Sequence, residues 1–523
     1  MADHYFLGID IGTYESKGTI IDQNGTVIAT LARRHGMEMP HPGWYEHDAE
    51  LVWWGDFCAL SNQLLAQSGL SPRQIAGVGV STLGADCLPV DESCRPLRKA
   101  ILYGIDSRAQ EELEFLNSYY GEETILRMKG SLMNSEDVMA RMLWVKNKEP
   151  EVYARTYKFC TGSTYLTAKL TGKFVVDEFL ARTCFFPIYD EHGQIREDMI
   201  RPFFPKELMA ECRPSTQVVG GITAKAAQAT GLLEGTPVIT GTDDAAAEAL
   251  STGVLQPGDV MIMLGSSMYL ICLVDHPCQE PRLWHSGYLR PGMETLQGAT
   301  NNAGTITRWM RDNLCPDLLD LEQKTGENAY AQMVRLADGI SPGCDGLMVL
   351  PYFAGERTPL NDPNARGVIA GLTLQHTRGH IYRAMLEGIG YSITQHLDIL
   401  KENGVPLRNV WVAGGGTKNP LWMQIIADIS GQTLQTAAVT IGASYGDALL
   451  AAVGTGIIPG FDALDAIMRQ DQIYVPAPPN HLLYQPYYQL FGQLYQNTIQ
   501  TVHSLTQLAT QGQAPNPSEK VTP

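Results

Sequence analysis

Several signals that mark particular classes of protein are absent from this chain. It contains no run of about 18 apolar residues, so we expect no membrane-spanning helix. Its first residues lack a basic segment followed by an apolar one, so we expect no secretory signal. The 38 basic residues are outnumbered by 56 acidic ones, which gives a net charge of −18. This balance argues against nucleic acid or an anionic membrane as the main partner.

Two further absences concern cysteine pairs and nucleotide motifs. The ten cysteines include no CxxC pair, which is typical of thiols in a reducing compartment rather than of disulfides or zinc ligands. No GxxxxGK[ST] motif occurs, so a nucleotide site in this chain is not a P-loop. The glycines between positions 77 and 84 miss the dinucleotide-binding spacing. We therefore expect a cytoplasmic protein without either of these nucleotide-binding motifs.

The chain does contain alternating strand and helix patterns, over a length that exceeds one core. At 523 residues it predicts two large or three smaller domains, and the alternation predicts α/β layers throughout. We predict an N-terminal domain at 1–253, a C-terminal domain at 254–460 and a helical extension at 461–510. Residues 511–523, in which Gln, Pro, Ser and Lys dominate, predict a disordered tail.

The sequence VITGTDDAAA at 238–247 is the central candidate for chemistry in this chain. Apolar and β-branched residues lead into a glycine turn, two carboxylates and an alanine-rich helix. Open α/β folds place chemistry at the end of a buried strand, just before a helix. An Asp at this position is also a common helix N-cap. Both Asp243 and Asp244 are therefore candidates for chemistry or for capping.

Two hairpins share a pattern of strand, glycine and hydroxyl residue. The first follows YFLGIDIGT at 5–13 and exposes backbone N–H groups together with Thr13 and Lys17. The second joins GDVMIMLGSS at 258–267 to a returning strand at 268–274. Their placement, one in each half, indicates an internal duplication. Two hairpins of N–H donors can together hold a polyphosphate.

A third glycine-rich turn completes the pattern of a phosphotransferase. The strand NVWVA at 409–413 ends in three glycines and precedes a helix at about 420–429. Glycine lets the backbone approach a flat adenine or ribose closely, because no Cβ intervenes. In this interpretation Asp10 lies beside the metal–phosphate cluster and Asp244 faces the acceptor hydroxyl. With a pKa near its usual value of about 3.9, Asp244 is ionised at neutral pH.

One motif indicates a different chemistry. GASYG at 442–446 matches the GxSxG nucleophile pattern of serine hydrolases, with Ser444 as the nucleophile and a helix after it. Close helix packing through the glycines is the other interpretation.

Taken together, the motifs resemble the FGGY family of carbohydrate kinases, and the resemblance extends from about Phe6 to Asn497. Two short segments, GERTP at 355–359 and LEG at 386–388, are similar to those of xylulokinase-like members. Three other segments resemble the two phosphate hairpins and the adenosine motif of the family: GIDIGT at 8–13, GSS at 265–267, and AGGG at 413–416 extending through ADISG at 427–431.

The resemblance implies a fold, an activity and roles for particular residues. The fold is α/β, with two actin-like, ribonuclease H-like ATPase domains around a central cleft. The activity is transfer of the γ-phosphate of ATP to a hydroxyl of a ketose or polyol, with ATP and Mg²⁺ as cofactors. Asp244 is the implied general base, with Asp243 as the fallback. Asp10, through water, and Asp244 are the implied metal contacts.

The resemblance also implies binding residues for ATP and for the acceptor. The implied ATP contacts are Gly12, Thr13, Lys17, Gly265, Ser266, Ser267, Gly304, Gly415, Gly416 and Asn419. The implied acceptor contacts are Gly84, Ala85, Tyr103, Asp106 and Asp244.

Two departures from the family pattern affect how far the resemblance extends. Arg141 stands where Lys is usual, and STLGAD at 81–86 replaces the usual substrate loop, which leaves the sugar open. A catalytically silent sugar or nucleotide sensor on the same fold is the alternative function. A homodimer is compatible with the exposed faces of a two-domain kinase.

Overall fold

The computed structural model describes residues 4–278 and 280–511. The predicted disordered tail lies outside the described residues, except for Gln511, which ends the last helix. The strands are β1 Tyr5–Ile11, β2 Glu15–Asp22, β3 Val27–Arg34, β4 Glu46–His47, β5 Ile75–Thr82, β6 Leu88–Val90, β7 Ala100–Ile101, β8 Lys158–Cys160, β9 Val175–Asp177, β10 Glu211–Arg213, β11 Val218–Gly221, β12 Pro237–Ile239, β13 Thr242–Asp243, β14 Asp259–Leu264, β15 Met268–Val274, β16 Trp284–Gly287, β17 Glu294–Thr300, β18 Met348–Leu350, β19 Val368–Ala370, β20 Asn409–Ala413, β21 Leu434–Ala437 and β22 Gln470–Tyr474.

The α-helices alternate with these strands, as the sequence pattern predicts. They are α1 Gly55–Ser68, α2 Gln110–Tyr120, α3 Glu122–Lys129, α4 Val138–Lys148, α5 Pro150–Arg155, α6 Gly162–Thr171, α7 Glu178–Cys184, α8 Glu197–Ile200, α9 Ala224–Thr230, α10 Asp244–Thr252, α11 Gly304–Leu314, α12 Pro316–Thr325, α13 Ala329–Ala337, α14 Arg378–Glu402, α15 Pro420–Ser430, α16 Ala443–Gly454 and α17 Pro478–Gln511. A π-helical segment, Ala49–Trp54, leads directly into α1.

The two large sheets repeat one strand arrangement. The first has the order β11-β12-β5-β1-β2-β3, with β13 also paired to β5. The second has the order β16-β17-β15-β14-β20-β21-β22. In both sheets, the first strand of the hairpin pairs in parallel with a strand from later in the chain: β1 with β5, and β14 with β20. Beyond that strand come a further parallel strand and then an antiparallel one: β12 and β11 in the first sheet, β21 and β22 in the second. The internal duplication expected from the two hairpins is thus confirmed in the sheet order.

The chain divides into two compact units. The first comprises the described part of 1–257 together with 272–296 and 439–469. The second comprises 258–271, 297–438 and the described part of 470–523. The domain boundaries drawn from the sequence remain predictions.

Two hydrophobic clusters support the first unit. One joins the first sheet to α1 and α6 through fully buried residues such as Ile9, Val80 and Phe57. The other gathers α2, α4, α5 and α7 around aromatic side chains that include Trp144 and Phe204. The first cluster packs helices against the sheet that carries Asp10. The second packs together the helices that follow β7.

Two absences concern the described part of the chain only. None of its helices combines the length and the hydropathy that crossing a membrane requires. The cysteines of the same segments form no disulfide bond.

Candidate active site

Asp10 and the loop after β5 lie at the same edge of the first sheet. β1 and β5 run parallel, and Asp10 stands opposite Ser81 in the register. The backbone N–H of Leu83 donates to the carbonyl of Ile11 at 2.8 Å, so the pairing continues where the strands end. Because α/β folds gather functional groups at the carboxyl ends of parallel strands, this register marks the edge where a site is expected.

A buried hydroxyl links two carboxyl groups at this edge. Ser81 Oγ lies 3.1 Å from Asp10 Oδ1 and 2.7 Å from Asp447 Oδ2. The hydroxyl carries one proton, so it cannot donate to both groups at once. Burial and the charge of Asp10 raise the pKa of Asp447 well above its usual range, which favours its protonated form as the second donor. Asp447 thereby holds Ser81, and Ser81 holds Asp10.

The first hairpin turn presents donors beside Asp10. The backbone N–H of Gly12 donates to the carbonyl of Glu15 at 3.1 Å and closes the turn between β1 and β2. Lys17 stands opposite Asp10 in the register of the two strands. The pKa of Asp10 is raised well above its usual range by burial and then by the charge of Asp244, and Lys17 opposes that rise. The turn therefore places one cation among several acidic groups.

Two histidines, His35 and His47, bond to the backbone carbonyls of this turn. The ring nitrogens of His35 lie 2.9 Å from Asp56 Oδ2 and 3.0 Å from the carbonyl oxygen of Gly12. Trp53 Nε1 donates to His47 Nδ1 at 3.1 Å, so His47 carries its proton on Nε2 and donates to the next carbonyl of the turn, also at 3.1 Å. Burial lowers the pKa of His47 to about 4 and keeps this ring neutral. With both carbonyls held, the peptide groups of the turn are fixed in orientation.

The two adjacent aspartates at the start of α10 have different roles in the structure. Asp243 is the N-cap, and its Oδ1 accepts from the N–H of Ala246 at 2.8 Å. Asp244 is the first helical residue, and its side chain is only partly buried. The surrounding protein removes water from Asp244 and, together with the like charge of Glu248, raises its pKa to about 7. The expectation of an ordinary pKa for Asp244 was therefore wrong.

Glu248 lies one helical turn after Asp244. Positions i and i+4 share one face of a helix, so the two carboxylates are neighbours. The backbone N–H of Ala443, the first residue of α16, donates to the Glu248 carboxylate. Burial raises the pKa of Glu248, and Lys17 opposes the rise. The helix α10 thus supplies two carboxyl groups to the cluster around Asp10.

The loop after β5 is held by a buried arginine and lies against Tyr103. Arg141 donates from its guanidinium to the carbonyl of Ala85. A Cβ built on Gly84 would lie 3.5 Å from Tyr103 Cβ, so this part of the loop passes close to the tyrosine. Tyr103 N–H donates to Asp86 Oδ1 at 3.1 Å, and its hydroxyl lies 3.1 Å from the hydroxyl of Thr13. Three predicted acceptor residues, Gly84, Ala85 and Tyr103, are therefore brought together beside the hairpin.

Asp106 does not join this group through its carboxylate. Both of its oxygens accept from Arg108, at 2.9 and 2.8 Å, and Oδ2 also accepts from the N–H of Tyr45 at 2.6 Å. Its side chain is fully buried in that ion pair. The predicted acceptor contact of Asp106 remains a prediction that these bonds do not favour.

In the second unit, the turn between β14 and β15 is attached to the start of α11. The N–H of Gly304 donates to the carbonyl of Gly265 at 2.9 Å, and the N–H of Thr305 donates to the carbonyl of Ser266 at 3.0 Å. A Cβ on Gly304 would lie 2.6 Å from the oxygen of Gly265, which excludes a side chain there unless the backbone shifts. The turn at 265–267 and Gly304 therefore form one backbone surface.

The glycine run after β20 lies beside the end of β14. The two strands are parallel, and Met263 stands opposite Ala413. Asn419 follows the run, caps α15 through the N–H of Trp422 at 3.1 Å, and donates to the hydroxyl of Tyr382 at 3.2 Å. The predicted nucleotide residues of the second unit thus gather at the carboxyl ends of two neighbouring strands: Gly265, Ser266, Ser267, Gly304, Gly415, Gly416 and Asn419.

Comparison with known proteins supplies the classification. Two family models, the N-terminal and C-terminal domains of the FGGY family of carbohydrate kinases, match residues 5–251 and 260–455. The chain belongs to the FGGY family of carbohydrate kinases. It is therefore a phosphotransferase that acts on an alcohol group of a carbohydrate, and its repeated sheets are those of the two-domain ribonuclease H-like, actin-like fold.

Relatives of this FGGY kinase carry more than one substrate name. It is 27% identical over 495 residues to a protein named xylulose kinase from Staphylococcus xylosus, covering 94% of this chain and 99% of that protein. It is 23% identical over 475 residues to a gluconokinase from Bacillus subtilis, covering 90% and 92%. The crystal structure of xylulose kinase from Rhodospirillum rubrum is similar with a TM-score of 0.86 and 30% identity, covering 96% of this chain and all of that one.

Ser444 has a packing role in this FGGY kinase. Its side chain is fully buried, and its hydroxyl lies 2.8 Å from the hydroxyl of Thr19. A Cβ on Gly8 would lie 2.0 Å from the carbonyl oxygen of Ser444, so α16 rests directly on the backbone of β1. The GxSxG match therefore reflects helix packing, and the hydrolase alternative is not favoured.

Sequence reasoning missed several residues of the site in this kinase. Glu248 had a local signal, because it stands four residues after Asp244 in a predicted helix. Asp447 had a weaker one, as a charged residue in an alanine-rich helix. His35 and His47 carried no signal, because their acceptors in the turn lie 23 and 34 residues away.

Proposed function

We propose that this kinase transfers the γ-phosphate of ATP to a hydroxyl of a ketose or polyol, with Asp244 as the general base. The observation that carries the proposal is the partial exposure of Asp244 together with its raised pKa. Its neighbour Asp243 provides the helix cap, whereas Asp244 is partly exposed and has its pKa raised to about 7. A general base works best when its pKa lies near the working pH.

Asp244 acts by orienting the acceptor hydroxyl and then taking its proton. The oxygen attacks the γ-phosphorus in line, the bond to the β-phosphate oxygen breaks, and the proton moves to a carboxylate oxygen of Asp244. Phosphoryl transfer has a loose transition state, so the base is needed late and most of the acceleration comes from positioning and charge stabilisation. The substrate loop and Tyr103 hold the remainder of the acceptor.

The turns hold the nucleotide. In the first unit, the N–H of Thr13 in the Gly12–Thr13 turn and the Lys17 ammonium bind phosphate oxygens. In the second unit, the surface formed by 265–267 and Gly304 binds phosphates as well. Gly415, Gly416 and Asn419 accept the adenosine, because a glycine backbone can approach a flat ring closely.

The carboxylates also suit a magnesium ion bound with the nucleotide. The charges of Asp244 and Glu248 raise the pKa of Asp10, and the charge of Glu248 raises the pKa of Asp244, so the cluster favours added positive charge. The described residues contain no group of three or more His, Cys, Asp or Glu side chains that could hold a metal on its own. Magnesium in kinases is held by one or two carboxylates, waters and substrate phosphates, which agrees with such a cluster. The ion would be held by Asp244 and, through water, by Asp10, and would neutralise phosphate charge.

Two neighbouring substitutions test the base. Asp244→Asn removes the proton acceptor, and we expect a loss of about 10²–10⁴-fold in kcat with nearly unchanged ATP affinity. Asp243→Asn is the matched control, because Asn caps helices as well as Asp and should leave kcat within a few fold. The assay is coupled ADP release with Mg-ATP and a panel of ketoses and polyols. A large loss in Asp243→Asn with an active Asp244→Asn would transfer the role to Asp243.

The silent-sensor alternative is disfavoured by the family assignment and by the partly exposed carboxyl group of Asp244. A sensor would bind sugar or nucleotide without releasing ADP in the same assay. The predicted homodimer and the predicted cytoplasmic location stay predictions.

A further inference from the structure

Asp86 is a fully buried carboxyl group with an unused oxygen. Its Oδ1 accepts from the N–H of Tyr103 at 3.1 Å, whereas its Oδ2 has no hydrogen-bond partner among the described residues. A buried acceptor left without a donor costs free energy, so such an atom points to a ligand group. Nothing in the transfer mechanism above uses it.

The position of Asp86 connects it to the reacting groups. It follows the loop residues Gly84 and Ala85, and it is bonded to Tyr103, whose hydroxyl meets Thr13 of the hairpin. The charge of Asp244 contributes to a rise in the pKa of Asp86, after the larger effect of burial. The unused oxygen therefore lies within electrostatic range of the proposed base.

Arg141 is a group of opposite charge that lowers the pKa of Asp86, but it does not bond to this oxygen. Its guanidinium donates to the carbonyls of Ala85, Ser135 and Glu136. The charge of Arg141 and the N–H of Tyr103 oppose the rise in the pKa of Asp86 and so favour its ionised form, and Arg141 fixes the loop without bonding to the carboxylate. A water molecule between the two side chains is the competing occupant.

We propose that Asp86 accepts a hydrogen bond from a hydroxyl of the acceptor and selects neutral ketoses and polyols over sugar acids. A hydroxyl group has a proton to donate to a carboxylate, whereas an ionised sugar carboxylate has none. An ionised Asp86 would also repel such a carboxylate. This inference rests on the proposed function and decides between the two acceptor classes for which the relatives are named.

The experiment compares Asp86→Asn with the wild-type enzyme on paired substrates. The panel holds neutral ketoses and polyols and the aldonates of the same carbon number, and coupled ADP release is measured. We expect the best wild-type substrate to be neutral, with aldonates at least about tenfold poorer in kcat/KM. In Asp86→Asn the KM for that sugar should rise about 10- to 100-fold, while kcat and the KM for ATP stay within about threefold.

Asp137→Asn is the matched control. Asp137 is also buried and has an oxygen without a partner in the described chain, but its charge is opposed by Lys129, which bonds to it, and by Arg141. We expect its KM for the sugar to match the wild type. Equal rises in both variants would show a general effect of losing a buried charge and would overturn the proposal.

A second measurement does not depend on the folding of Asp86→Asn. Monodeoxy analogues of the best substrate are tested with the wild-type enzyme, and one of them should lose about 10- to 100-fold in kcat/KM. If Asp86→Asn folds, its kcat/KM should be little lower for that analogue than for the full substrate, because the same hydrogen bond is already absent. If no analogue shows such a loss, or if the two losses multiply, the oxygen is bonded to water and the proposal is overturned.

Failures of this inference and of the proposed function give different results. If Asp86→Asn phosphorylates a neutral sugar as well as the wild type does, only the role of Asp86 is overturned. If the wild type prefers an aldonate, the proposed selection is overturned. A wild type that transfers phosphate to none of the panel overturns the proposed function. In that case a neutral sugar that raises the melting temperature of wild type, but not of Asp86→Asn, still supports Asp86. A wild type that is neither stabilised nor active overturns both.

Discussion

Substituting Glu248 by glutamine should move the pH dependence of the kinase without removing the proposed base, Asp244. The structure raises the pKa of Asp244 to about 7 by burial and then by the like charge of Glu248. Asp244 is therefore neutral below this pH and ionised above it, so kcat/KM for the sugar should rise with pH through about 7. Glutamine keeps the shape of Glu248 and an oxygen for the N–H of Ala443, but it removes the charge.

The size of the shift follows from the helix spacing. Side chains at i and i+4 lie about 6 Å apart, and two unit charges at that distance interact by about 0.7 kcal/mol in water and about 2.8 kcal/mol at an effective dielectric constant of 20. At about 1.36 kcal/mol per pKa unit, the midpoint of the acid limb should move down by about 0.5 to 2 pH units in Glu248→Gln. The direction is fixed, because removing a negative neighbour favours the ionised form of Asp244.

The assay is coupled ADP release across pH 5–9, with subsaturating sugar and saturating Mg-ATP. Glu178→Gln is the control, since Glu178 is a half-buried glutamate whose pKa is also raised by burial and whose charged neighbour is Arg182 rather than Asp244. Its acid limb should coincide with that of the wild type. An unmoved limb in Glu248→Gln, or a limb moved toward higher pH, would refute the account of Asp244.

Two further substitutions separate the nucleotide surface from the packing of α16. Gly304→Ala places a Cβ 2.6 Å from the carbonyl oxygen of Gly265, so we expect a loss of about 1–3 kcal/mol in stability and a higher KM for ATP with an unchanged KM for sugar. Gly492→Ala, where a Cβ meets no atom within 4 Å, should leave both KM values unchanged in the same kinetic assay. Ser444→Ala leaves the buried Thr19 hydroxyl without its 2.8 Å partner, so thermal denaturation should show a loss of about 1 kcal/mol while turnover is retained. Loss of turnover in Ser444→Ala with an unchanged melting temperature would restore a chemical role for that serine.

The sequence predicted the parts of the fold that depend on local patterns. The two glycine hairpins, the helix after Asp244 and the helix that follows the three glycines all follow from strand and helix periodicity and from glycine turns. These elements form because neighbouring residues along the chain already share a face or a turn. The family assignment rested on the same local motifs and is confirmed by the two matching family models.

The organisation of the site depended on contacts between distant residues. Ser81 and Asp447 are 366 positions apart, and their hydrogen bond exists only because α16 packs against the first sheet. Spacing along the chain carries no information about such a partner. The ion pair of Asp106 joins it to Arg108, only two positions away, and what the sequence could not show is that both carboxylate oxygens are buried in that pair.

By itself, the sequence determined that this chain is an α/β carbohydrate kinase with two glycine hairpins and an acidic pair before a helix. Only the tertiary structure assigned the capping bond to Asp243 rather than to Asp244, because that bond is a matter of backbone geometry. The tertiary structure also decided the pKa of Asp244, since desolvation and the charge of Glu248 act through space. Residue types set the available chemistry, while burial and distance set the protonation state in which each group acts.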